Sequence, residues 1–122
     1  MNRIEALKDK DPGVREDAAL ELRDAGDESA VPALIEALKD KNSGVRITVA
    51  EALKKIGAKS SVPALIKVLK DKNSIVCSYA AEALGKIGDI SALESLRHVA
   101  NNDSNEKAKK AAREAIKNIE TE

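Results

Sequence analysis

Few side chains in this 122-residue sequence are of the kind that make or break bonds. The single cysteine, Cys77, opens a helical stretch, where the positive end of the helix dipole lowers a thiol pKa and favours redox or ligand-attachment chemistry. No second cysteine and no suitably spaced histidine accompanies it, so the competing reading is a small half-buried residue. His98, the one histidine, has no Cys or second His with which to share a metal and reads as a plain surface side chain. There is no Gly-rich phosphate loop, no CxxC, no HExxH, and no Ser or Cys nucleophile with a plausible base. Catalysis, a metal and a cofactor are therefore not expected.

The charges point the same way. Lys plus Arg and Asp plus Glu number 21 each, so no overall field draws the chain to a phosphate backbone or an anionic membrane, and neither nucleic acid nor membrane is an expected partner. With one cysteine no intrachain disulfide forms, which suits a reducing compartment. The N-terminal MNRIEALKDK lacks the apolar run of a signal peptide, and no stretch approaches the ~20 apolar residues of a membrane span. A cytoplasmic location is the expectation.

What positions any surface of this chain is a repeat. Shifting the sequence by 31 residues lays 27–57 on 58–88 with 20 of 31 positions identical, VPALI, KDKNS and AEAL among them. Gly26, Gly57 and Gly88 keep the same spacing, and looser copies precede and follow. The expected units are about 1–26, 27–57, 58–88 and 89–122 of a single domain, and a period of this size marks a stacked array. Within each unit the apolar residues recur at three and four: Val14, Ala18, Leu22 and Ala25; Val45, Val49, Ala50, Leu53 and Ile56; Val76, Ala80, Ala81, Leu84 and Ile87. Two helices per unit follow, the second running over about 43–56 in the second copy. Asp11, Asn42 and Asn73 are placed to cap the second helices, Pro12 sits in a first turn, and the three glycines supply left-handed exits. One extra residue within 101–106 shifts the last copy to an offset of 32. A core without Trp or Phe, whose only aromatic is Tyr79, must come from Leu, Ile, Val and Ala in close layers. Arg3, Arg97 and Arg113 replace apolar residues at the two ends and read as solvent caps, as expected of an array complete in four units.

The pattern VPALIxxLKDxxSxVRxxxAEALxKIG resembles HEAT-like repeats of the phycobilisome-lyase type over essentially the whole chain. The resemblance implies an all-α fold, a right-handed α-α superhelix of four HEAT-like helix pairs with the second helices on the concave side. It further implies a ladder between neighbouring repeats, built from an Asp closing the first helix and an Arg opening the second: Asp9 and Arg15, Asp40 and Arg46. Cys77 breaks the third rung, leaving Asp71 dependent on Arg46, and the fourth is at best Asp103 with Lys109. HEAT-like hydroxylases hold two irons with His-Glu pairs in the first turn of their second helices. Here those places read Glu16-Asp17, Ile47-Thr48, Ser78-Tyr79 and Lys110-Ala111, so the ligands are absent. HEAT-like DNA glycosylases use a basic, Trp-bearing face, which this chain also lacks.

At 100° per residue the second helices turn a recurring set of positions away from their apolar stripe. Asp17, Leu20, Ile47, Thr48, Glu51, Lys55, Ser78, Tyr79, Glu82 and Lys86 on this arc form the candidate protein-binding face, acidic at the front and basic toward the back. Leu20, Ile47 and Tyr79 are its apolar members, and tyrosine suits a binding hot spot; the competing reading is scattered surface apolar residues. The expected function is a non-catalytic scaffold that binds another protein or peptide, as a monomer. The alternative is an accessory subunit of a bilin-lyase-like or protein-maturation enzyme whose chemistry lies in a partner. An engineered array is a third reading of so close a repeat, against which Cys77, the extra residue and the uneven first copy count as natural drift.

Overall fold

A computed structural model describes residues 2–121. Eight α-helices follow in order: α1 (Arg3–Ala6), α2 (Pro12–Ala25), α3 (Val31–Ala37), α4 (Ser43–Ile56), α5 (Val62–Val68), α6 (Ser74–Ile87), α7 (Leu93–Asn102) and α8 (Glu106–Glu120). There is no strand among the described residues. Single 3-10 turns, Glu28–Ala30, Lys59–Ser61 and Ile90–Ala92, lead into the later first helices.

The expected caps are in place. Asp11, Asn42, Asn73 and Asn105 are extended residues whose side chains accept from free N–H groups of α2, α4, α6 and α8. Gly26, Gly57 and Gly88 close the first three of these helices at φ of 62°, 69° and 81°, a region that a Cβ disfavours. The extra residue of the last copy is absorbed by α7, which stays helical to Asn102, whereas its counterpart α5 stops at Val68.

The pairs stack as an α-solenoid. Each second helix lies against the next, α2 on α4, α4 on α6 and α6 on α8, while the first helices pack mainly on their own partners. The second helices thus form the tighter layer, and the stack curves toward them. Leucines fill the space between layers: Leu34, Leu53, Leu65, Leu84 and Leu96 are wholly buried. The tight layer is held by alanines, with Ala19, Ala50, Ala52, Ala81, Ala83 and Ala112 fully buried where neighbouring backbones approach. Ile56 and Ile87, expected in the core, are only half-buried at the helix ends. Arg3 and Arg97 are about half exposed at the two ends and pair with Glu21 at 3.1 Å and Glu120 at 2.6 Å.

Candidate protein-binding face

Thr48 and Ser78 do not belong to the accessible part of the outward arc. They are 6% and 2% exposed, and their hydroxyls donate back to Gly44 O at 3.1 Å and Ser74 O at 2.7 Å. Ala111 and Gly85 on the same arc are buried too. The reason is that an inner second helix is covered on three sides, by its own first helix and by a second helix to the left and right, so a two-sided wheel draws the open strip too wide.

On the remaining strip the charges are spent across helices. Arg23 Nη1 donates to Glu51 at 2.8 Å, and one repeat later Lys54 Nζ donates to Glu82 at 2.9 Å. The guanidinium of Arg23 is thereby held above its ordinary pKa, first by the hydrogen bond to Glu51 and then by that to Asp24. Lys55 Nζ donates to Asp24 O at 3.2 Å, and Lys86 Nζ to Lys54 O and Lys55 O at 3.1 Å each, so these ammonium groups sit on the carbonyl end of the preceding helix, where its dipole is negative. Asp17 is exposed. The front-to-back charge gradient is therefore largely neutralised. A basic residue followed 28 positions later by Glu, twice over, is the sequence signal for this second ladder.

Leu20, Ile47 and Tyr79 stay half-buried on the strip. Ile47 and Tyr79 are packed at the edge of the core, and Lys54 Nζ lies 5.3 Å from the centre of the Tyr79 ring, within cation–π range. The ring is thus fixed at its edge by an ammonium that is itself tied to Glu82.

The implied arginine ladder is present at two junctions. Arg15 donates to both carboxylate oxygens of Asp40 at 2.7 and 3.2 Å, and Arg46 to those of Asp71 at 2.8 and 3.2 Å. Each guanidinium also reaches the carbonyl of its own repeat's Asp, Asp9 O at 2.8 Å and Asp40 O at 2.9 Å, so one side chain joins two repeats. At the next register Cys77 is 1% exposed and donates to Leu69 O at 3.3 Å, and Lys109 turns to Glu106 at 3.8 Å rather than to Asp103.

The helix dipole does not activate Cys77. Burial first, then the carboxylates of Asp103 and Asp71, push its thiol from 9.0 up to about 11. The folded chain keeps this proton through a window where the unfolded chain releases it, so the thiol lowers stability as pH rises from about 9 to 11 and is neutral below. A disulfide-exchange reagent at pH 8 is expected to label the native chain on the order of 100-fold more slowly than the urea-unfolded chain, through loss of thiolate and of access. Equal rates would show an open, activated thiol.

Among the described residues no three His, Cys, Asp or Glu side chains come together as metal ligands, and no helix is long and apolar enough to cross a membrane. The family model described as HEAT repeats matches residues 2–76 and 54–117. No curated protein matches the sequence. Human deoxyhypusine hydroxylase in complex with glycerol is similar with a TM-score of 0.80 and 26% identity, over 98% of this chain and 42% of that one. The complex of CpcE and CpcF of phycocyanin lyase from Nostoc sp. PCC7120 gives 0.82 and 27%, over 96% and 52%. An engineered protein gives 0.74 at 21%, over 96% and 60%, a likeness of fold alone. The chain spans about half the length of the two natural proteins.

Proposed function

Because this chain belongs to the HEAT-repeat family, we propose that it is a non-catalytic module that binds another protein or peptide along the open strip of α2, α4, α6 and α8. The observation that carries this reading is the company Leu20, Ile47 and Tyr79 keep. Their neighbours' charges are already matched across helices, so an incoming chain desolvates apolar surface without stripping an unpaired ion. A half-buried tyrosine held by packing and by Lys54 loses little entropy on binding, which is what makes tyrosine a good anchor. Neutral net charge gives no general attraction to nucleic acid or membrane.

The likeness to a subunit complex of phycocyanin lyase favours a second reading, an accessory subunit whose partner carries the chemistry. Both readings place a polypeptide on the strip; they differ in whether that polypeptide is an enzyme.

Capture from the native host with the wild-type chain, followed by mass spectrometry, names the partner. The variant carrying Ile47→Asp and Tyr79→Ala is expected to lose that partner while its Tm falls by no more than about 5 °C, since both side chains lie at the core's edge. A partner held equally well by a folded variant would remove the strip from the interface.

A further inference from the structure

Grooves between first helices differ along the array. The groove between α1 and α3 measures about 230 Å³ and is lined by Leu7, Ala37 and Asp40. The groove between α5 and α7, lined in the same register by Leu69, Val99 and Asp103, measures about 680 Å³. In the narrow groove the acid is engaged, Asp40 gripping the guanidinium of Arg15. In the wide one the register of Arg15 and Arg46 holds Cys77, too short to reach across, and no arginine of the described chain meets Asp103.

What the wide groove keeps is the receiving half of a rung. Asp103 is half-buried, and one of its oxygens accepts only the Asn105 N–H at 2.8 Å. Asp71 lines the same groove, and its carbonyl corresponds to Asp9 O and Asp40 O, which accept from Arg15 and Arg46. Twice in this chain that pairing of a carboxylate from one repeat with a carbonyl from the preceding one holds a planar guanidinium. The ammonium of a lysine, a point charge, does not match the two-oxygen fork.

We propose that the groove between α5 and α7 accepts an arginine side chain from a partner polypeptide, its guanidinium on Asp103 and the Asp71 carbonyl, completing in trans the rung that Cys77 interrupts. This site lies between the first helices, apart from the strip on the second helices, and stands or falls separately from it.

The probe is a capped Gly-Arg-Gly peptide titrated into the isotope-labelled chain, reading the amide resonances of Asp71, Asn101, Asn102 and Asp103. Saturable shifts are expected, with the Gly-Lys-Gly peptide binding at least about tenfold more weakly. Asp103→Asn keeps an oxygen for the Asn105 N–H and is expected to abolish the response. Cys77→Arg, which supplies the guanidinium in cis, is expected to abolish it as well while raising Tm. No saturable shift, equal response to the two peptides, or a response that survives in folded Asp103→Asn overturns the proposal.

Discussion

Arg46→Ala is expected to destabilise the array by about 3 kcal/mol, a Tm loss on the order of 10 °C for a chain of this size. The magnitude follows from burial. The side chains of Arg46 and Asp71 are 10% and 12% exposed, and removing the cation leaves a carboxylate in a site where water replaces only part of the lost interaction. Nothing else in the chain relieves Asp71, because the arginine its own repeat would carry is Cys77. The same truncation at Arg23 removes a pair whose partners are 29% and 33% exposed and is expected to cost about 1 kcal/mol or less. Arg46 also bridges the second and third repeats, and in a stack where each unit touches only its neighbours, loss of one junction weakens the coupling between the two halves. The urea transition of Arg46→Ala should therefore broaden as well as shift. Equal losses for Arg46→Ala and Arg23→Ala, by urea denaturation, would show that the ladder is solvated and structurally idle.

The features legible in the sequence are those set by one residue and its near neighbours. Asp11 and Asn42 cap helices because the chemistry lies within three residues, and Gly57 ends one because only its own φ is involved. The 31-residue period carried these local rules through the whole chain, so helix order and the dependence of Asp71 on Arg46 followed. Burial of Thr48 and Ser78 was not legible in the same way, since it depends on how closely the next helix approaches. That distance is set by the residue opposite, and nothing within one helix reports it. The mirror case is the Cys77 thiol: a helix start alone lowers a pKa, but burial beside two carboxylates raises it, and burial was the term a single helix could not supply.

Gly85→Ala sets two terms of opposite sign against each other, and the contact is expected to win. Within a helix the change gains about 0.5–1 kcal/mol of intrinsic propensity, so an open position would become more stable. Gly85 is not open. A Cβ there would stand 2.8 Å from Ala115 Cα and 2.9 Å from Ala115 Cβ, and backbone cannot swing aside as a side chain can. Helix α8 must back away, at a cost of about 1–3 kcal/mol for overpacking, and a net loss of about 1–2 kcal/mol is expected. Register explains why the junction is built this way. Arg23 and Lys54 occupy the equivalent position and reach across to Glu51 and Glu82, whereas Gly85 sends nothing to the corresponding Glu114, which is exposed. The last junction has thus replaced both cross-repeat cations, Cys77 on one edge and Gly85 on the other, with small residues. On the inner side this lets α6 and α8 meet at the backbone, and on the outer side it accompanies the wide groove between α5 and α7. Pairing Gly85→Ala with Ala115→Gly tests the account by a double-mutant cycle: removing the opposing Cβ is expected to recover at least half of the loss, with a coupling energy of about 1 kcal/mol. Additive losses would mean that Gly85 acts only through helix propensity, and a stabilised Gly85→Ala would mean that the two helices do not meet there.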